Sequence, residues 1–89
     1  MPTLYIPAAL RRRIAGAAQV DVPGATVREA LHAADRQFPG LWRALTTEDG
    51  ELRPELVIAV DDEMTDDGLQ APLQPGSEIH IIPALGGGS

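Results

Sequence analysis

The stretch LQPGSEIHIIPALGGGS, residues 73–89, combines a turn, an apolar segment and a glycine tail in that order. Pro75-Gly76 is a typical turn pair, and the run Glu78-Ile79-His80-Ile81-Ile82 is rich in β-branched residues, which predicts a strand. Pro83 ends that strand, and residues 84–89 lack any pattern of regular structure. Because successive glycines have no Cβ, such a tail fits a narrow channel in another protein. The stretch therefore predicts a folded body with a thin, flexible end.

Two short strands are predicted near the amino terminus. Leu4 and Ile6 are separated by one residue, and Ala18, Val20 and Val22 alternate with polar residues before Pro23-Gly24. Alternation with a period of two, bounded by turn residues, is typical of half-buried strands. We expect these two strands to pair antiparallel across a loop that carries Arg11-Arg12-Arg13.

A helix is predicted after Thr26. Glu29 follows Thr26 at the capping-box spacing, in which the hydroxyl accepts from a free helix amide and the glutamate reaches back. The apolar residues that follow at helical spacing are Val27, Ala30, Leu31, Ala34 and Phe38. Pro39-Gly40 ends the run, and Leu41, Trp42 and Leu45 predict one further turn over the edge of the core.

The run Leu56-Val57-Ile58-Ala59-Val60 predicts a strand that is buried on both faces and central in the sheet. Residues 61–63 are expected to turn the chain, and residues 68–73 to form an irregular connection. The element order predicts an α+β fold, with a mixed sheet of four or five strands packed on one main helix. We expect one domain at residues 1–83, followed by a flexible tail at residues 84–89.

Composition narrows the classes of function. The 89 residues suit one hydrophobic core, and the formal net charge of −6 disfavours nucleic acid and favours a basic protein partner. The absence of cysteine excludes disulfides and thiolate chemistry. No apolar run approaches the roughly 18 residues of a membrane span, and residues 1–5 lack the basic segment followed by an apolar one that is typical of a signal peptide. We expect a cytoplasmic protein that does not engage membranes.

Side-chain sites are weak in this sequence. The acidic residues Asp61, Asp62, Glu63, Asp66 and Asp67 lack the ligand spacing of a calcium loop, so a solvated hairpin is favoured and no metal site is predicted. His32 and His80 have no sequence neighbours that suggest a catalytic or metal-binding set. Trp42 is interpreted as a filler at the edge of the core. With the outward-facing Ile82, it is also a candidate for a docking patch.

Residues 73–88 resemble the carboxyl-terminal signature of the sulfur-carrier family that includes the small subunit of molybdopterin synthase, the thiamine sulfur carrier and the carriers of cysteine synthesis. In that signature a leucine, a glycine-acid turn, an apolar strand and a proline lead to a terminal diglycine. Residues 6–11, IPAALR, look like the exit of the family's first strand. Residues 60–63 look like its valine-asparagine-x-glutamate hairpin, with Asp61 in place of asparagine.

The resemblance implies a ubiquitin-like β-grasp fold and a reaction cycle at Gly88. A partner enzyme, using ATP and magnesium, would adenylate the Gly88 carboxylate, and a sulfur donor would convert it to a thiocarboxylate. Leu85, Gly86 and Gly87 would thread into the partner. The carrier would bind no cofactor and would itself be a protein cosubstrate that hands sulfur to a synthase, or the small subunit of a sulfurtransferase such as molybdopterin synthase.

Ser89 departs from the family pattern, because its carboxylate is not the family's acyl group. Either a processing protease removes Ser89, or the Gly-Gly-Gly-Ser end is partly an engineered linker. A ubiquitin-like modifier, joined to target amines through the same tail, is the alternative function. The pathway that receives the sulfur stays open among cysteine, molybdopterin, thiamine and tRNA thiolation.

Overall fold

A computed structural model describes residues 1–8 and 18–83. The strands in this part of the chain are β1 (Thr3–Tyr5), β2 (Gln19–Asp21), β3 (Leu56–Val60), β4 (Glu63–Met64) and β5 (Glu78–Pro83). The helices are α1 (Val27–Gln37) and α2 (Leu41–Leu45), and a short 3₁₀ turn lies at Gly68–Gln70. The predicted arginine loop and glycine tail fall outside the described residues.

The strands form one mixed sheet in the order β2-β1-β5-β3-β4. β1 pairs antiparallel with β2, as expected, and parallel with β5. β3 pairs antiparallel with β5 on one side and with β4 on the other. The predicted mixed sheet on one main helix is confirmed. Its five strands and their order are those of the ubiquitin-like β-grasp fold.

The prediction that Leu56–Val60 is the central strand, buried on both faces, is wrong. β5 occupies the centre, and β3 lies between β5 and the short strand β4. Only Ile58 and Ala59 of β3 are buried, and its other residues are half-buried. Val57 pairs with the exposed Ile82 on the face away from the helices. The apolar run was misleading because this uncovered face also carries apolar side chains.

Helix α1 begins as its sequence predicts. The Glu29 amide donates to Thr26 Oγ1 at 3.3 Å, and Glu29 Oε1 accepts from the Ala25 amide at 2.9 Å, one residue before the cap. The helix ends at Gln37, and Asp35 Oδ1 accepts from the amides of Gly40 and Trp42 at 3.0 Å each. Asp35 therefore connects the end of α1 to the start of α2.

One aliphatic core lies between the sheet and the two helices. The largest of its fully buried side chains are Leu4, Leu31, Leu41, Leu45, Ile58 and Ile79. Trp42 is partly buried and packs against the core, as predicted for a residue at its edge, and Phe38, predicted in the apolar stripe of the helix, is also only partly buried. Neither helix is long and apolar enough to cross a bilayer, within residues 1–8 and 18–83.

Candidate functional site

The predicted tail residues Leu85, Gly86, Gly87, Gly88 and Ser89 lie outside the described part of the chain. The structure does describe the strand that leads to them. β5 is hydrogen-bonded to a neighbour on each side, and its pairing with β3 extends to the pair Pro83 and Leu56. The tail therefore continues from the central strand, which is paired along both of its edges.

Hydrogen bonds with Asp61 hold the start of β5 in place. Asp61 and Asp62 form a two-residue turn between β3 and β4, with backbone φ angles of 51° and 70°. Asp61 Oδ1 accepts from the Glu78 amide and Oδ2 accepts from the Ser77 hydroxyl, both at 2.9 Å. The Asp61 amide in turn donates to the Glu78 carbonyl at 2.9 Å. The hairpin and β5 are thus held in one fixed relation.

The sheet face opposite the helices is not covered by any described element. Because Ile79 and Ile81 point into the core, the alternation of a strand places Glu78, His80 and Ile82 on this open face. Val57 and Met64 share it through their pairing with Ile82 and with Ala59. Met64 is 65% exposed and Ile82 39% exposed, so the face presents apolar side chains to solvent. The prediction that Ile82 faces outward is confirmed.

Two pairs of rings stack on each other, one on each side of the sheet. The Tyr5 and His80 rings lie 4.3 Å apart and almost parallel on the open face, at paired positions of β1 and β5. On the helical side, His32 stacks on Trp42 at 4.0 Å, and the Arg28 guanidinium lies 5.7 Å from the Trp42 ring centre.

Trp42 and Ile82 belong to separate surfaces, because α2 and the open face are on opposite sides of the sheet. The prediction that Trp42 and Ile82 form one docking patch is therefore wrong.

A group that the sequence did not predict lies at one end of the open face. Asp62, Glu78 and His80 each offer one possible metal-ligand atom, and these three atoms all lie within 4.8 Å of one another. Glu78 and His80 share a strand face, which a period of two predicts, but Asp62 joins them only through the pairing of β3 with β5. The remaining acidic residues of the hairpin, Glu63, Asp66 and Asp67, are exposed, as predicted.

The chain is similar to a known family over almost its full length. The model of the ThiS family matches residues 4–88. No curated protein sequence is significantly similar to this chain.

Several solved structures share the fold. A chain of the BexX/CysO complex of Amycolatopsis orientalis is 30% identical, with a TM-score of 0.88 over 98% of this chain and 99% of that one. CysO of Mycobacterium tuberculosis is 26% identical, with a TM-score of 0.87 over 94% and 99%. SAMP1 of Haloferax volcanii is 29% identical, with a TM-score of 0.74 over 97% of both chains.

These similarities support a small ubiquitin-like carrier or modifier protein. The matched chains are covered almost completely, so the likeness concerns the whole described fold and not one motif. The match of residues 4–88, together with the β-grasp sheet, shows that this chain belongs to the ThiS family.

Proposed function

We propose that this chain is a sulfur carrier whose working group is the carboxylate of Gly88. The observation that carries the proposal is the extent of the family match, which includes the glycine tail and ends at residue 88. Ser89 lies one residue beyond that end. Removal of Ser89 would expose the carboxylate at the position where the family pattern stops.

The proposed chemistry needs no catalytic side chain from the carrier. A carboxylate oxygen of Gly88 attacks the α-phosphorus of ATP in the activating enzyme, which uses magnesium, and pyrophosphate leaves. A sulfur donor then attacks the acyl carbon of the adenylate, and AMP leaves with its bonding electron pair. The product is a thiocarboxylate on Gly88, from which a synthase accepts sulfur.

The geometry of β5 supports this role. Leu85, Gly86 and Gly87 would enter the partner as an extended strand without bulky side chains near the reacting carbon. The folded body sets where the tail starts, because β5 is paired on both sides and fastened by Asp61. A fixed origin lowers the entropy that the tail loses when it is positioned in the partner.

The open face is the docking surface that we propose for the activating enzyme. Met64 and Ile82 offer apolar area beside the strand that carries the tail, and the acidic hairpin borders it. An apolar centre with a charged border is the usual composition of a protein interface. The net charge of −6 favours a partner whose contact surface is basic.

Mass spectrometry tests the proposal on two forms of the chain, one ending at Ser89 and one ending at Gly88. Each is incubated with ATP, Mg²⁺, sodium sulfide and a clarified extract of the source organism. We expect the Gly88 form to gain about 16 Da, because one oxygen is replaced by sulfur. The Ser89 form should first lose one serine residue and then gain the same mass. Omission of ATP is the control.

A ubiquitin-like modifier is the second candidate, and the similarity to the small archaeal modifier protein SAMP1 favours it. Both functions begin with adenylation of the tail, so the product separates them. Covalent adducts of the chain on other proteins, without a stable gain of sulfur, would support the modifier. If neither product forms while the extract remains active on ATP, both proposals are wrong.

A further inference from the structure

The open face carries an imidazole and two carboxylates that converge at one point. The ligand atoms of Asp62, Glu78 and His80 all lie within 4.8 Å of one another. His80 Nε2 is 3.8 Å from Glu78 Oε1. Ligand atoms around a tetrahedral zinc ion, at the usual bond lengths, lie about 3.4 Å apart. Small rotations of two exposed carboxylates would bring the three atoms to this separation.

The backbone beneath the group is fixed by contacts that do not involve the three ligand atoms. Asp62 is the second residue of the hairpin turn, and Asp61 binds that turn to Ser77 and Glu78 through three hydrogen bonds. Glu78 and His80 project from the same face of β5. The sheet therefore brings Asp62 beside two residues that lie 16 and 18 positions away in the sequence.

The imidazole is also oriented before any ion arrives. The His80 ring lies flat on the Tyr5 ring, with 4.3 Å between centroids and 2° between planes. An imidazole held by a neighbouring group loses less entropy when it binds a metal, and orientation by outer groups is a general feature of metal-binding histidines. Tyr5 serves as this orienting group for His80.

In the part of the chain that the structure describes, no arginine side chain pairs with the carboxylates of Asp62 and Glu78. Within residues 1–8 and 18–83, the ion pair found at the group is that of Glu78 with His80, and it exists only when His80 is protonated. The described arginines lie in the helices or, as Arg53 does, bind backbone carbonyls of α2. Two negative charges with a neutral imidazole form a donor set that attracts a divalent cation.

We propose that Asp62, Glu78 and His80 bind one divalent transition-metal ion of the Zn²⁺ class. One nitrogen and two oxygen donors suit zinc and its neighbours, whereas calcium and magnesium require more oxygen ligands. Three protein ligands leave at least one coordination position for water or for a donor from a partner protein. The ion would join the hairpin to the strand that leads to the tail, and this site is independent of the function proposed above.

Isothermal titration of the full chain with ZnCl₂ tests the site. We expect saturable binding of one ion per chain, with a dissociation constant below about 100 μM. His80→Gln should weaken binding by at least about tenfold, and Asp62→Asn and Glu78→Gln should each weaken it by about tenfold. His32→Gln and Asp66→Asn are the matched controls, since they change the same residue types elsewhere, and should leave the affinity unchanged.

A spectroscopic readout places the ion on the named residue. In ¹⁵N NMR of the imidazole nitrogens, Zn²⁺ should shift the His80 signals and leave those of His32 in place. Urea unfolding of each variant, without metal, checks that the fold is retained. The proposal is overturned if Zn²⁺ does not saturate the folded chain at that concentration. It is equally overturned if His80→Gln binds as tightly as the unchanged chain, or if the shift appears on His32.

Discussion

The Asp61 side chain continues the hydrogen bonding to β5 where the regular pairing of β3 with β5 ends at Val60 and Ile79. Its carboxylate accepts from the Glu78 amide and the Ser77 hydroxyl, at the point where β5 begins. Ser77 is only 2% exposed, so its hydroxyl needs a partner inside the protein. Asp61 also adopts a left-handed backbone, with a φ of 51°, which aspartate tolerates better than most residues.

Asp61→Ala should lower the free energy of unfolding by about 2 kcal/mol, because two hydrogen bonds to a charged acceptor are lost and the buried Ser77 hydroxyl loses the acceptor of its proton. Urea unfolding followed by circular dichroism measures the change. Asp61→Asn is the matched control, since an amide keeps an acceptor for the Glu78 amide and tolerates a positive φ. It should cost less than about 1 kcal/mol. Equal losses in the two variants would contradict the assigned role.

Gly24 is required by a close approach rather than by a turn. A Cβ at this position would lie 2.7 Å from the Ala30 amide nitrogen and 3.2 Å from its Cα, in the backbone of α1. A helix backbone cannot move aside as a flexible side chain would. The segment between β2 and α1 therefore passes directly against the helix.

Gly24→Ala should lower the free energy of unfolding by about 1 to 3 kcal/mol, because the added methyl group overpacks the contact with α1. Gly76→Ala is the comparison, since Gly76 has a φ of 83° but open space around the position of a Cβ. It should cost about 1 kcal/mol from conformation alone. Thermal unfolding of both variants gives the ranking, and a larger loss at Gly76 would refute the steric explanation.

Helix α1 and strand β5 both contribute fully buried side chains to the hydrophobic core. α1 buries Val27, Ala30, Leu31 and Ala34 against the sheet, and β5 contributes Ile79 and Ile81 from its centre. The opposite face of β5 carries Ile82, which is 39% exposed. One strand thus supports the core with one face and leaves the other available for a partner.

Leu31→Ala should lower the free energy of unfolding by about 2 to 5 kcal/mol, because a fully buried side chain is replaced by a cavity. Ile82→Ala is the control, since it removes apolar atoms from a partly exposed position of the open face. It should cost less than about 1 kcal/mol. Urea unfolding of the two variants tests the assignment of faces, and a similar cost in both would show that the open face is covered.

At the scale of the whole molecule, stability and proposed chemistry belong to different parts of the chain. Among the residues that the structure describes, the hydrophobic core cluster extends from Leu4 to Ile81. The proposed reacting group, Gly88, lies beyond the last strand. A reacting group outside the described core suits the proposed carrier.

The chain that ends at Pro83 should have the same free energy of unfolding as the full chain, within about 0.5 kcal/mol, because every described residue of the core cluster lies between Leu4 and Ile81. Circular dichroism and urea unfolding of the two chains measure this. The shortened chain should also gain no sulfur in the mass assay. A large loss of stability would contradict the domain at residues 1–83 and the separate tail at residues 84–89.

Local signals in the sequence predicted most of the elements. The spacing of Thr26 and Glu29 predicted the start of α1, and Pro39-Gly40 predicted its end, because caps and breakers act within a few residues. The strand at residues 78–82 followed from its β-branched composition, and the structure extends it by one residue to Pro83. The two-residue strand β4 was missed, since Glu63 and Met64 are exposed and carry no apolar pattern.

By itself, the sequence determined the approximate helix boundaries, four of the five strand segments and the resemblance carried by residues 73–88, since each depends on neighbours in the chain. The order of these elements then predicted the fold class. Only the tertiary structure decided that β5 is central, and that Asp62 lies beside Glu78 and His80. Strand order is a choice among pairings of similar strands, and the burial of the whole core settles it. Contacts between distant residues follow from that register, which no local pattern encodes.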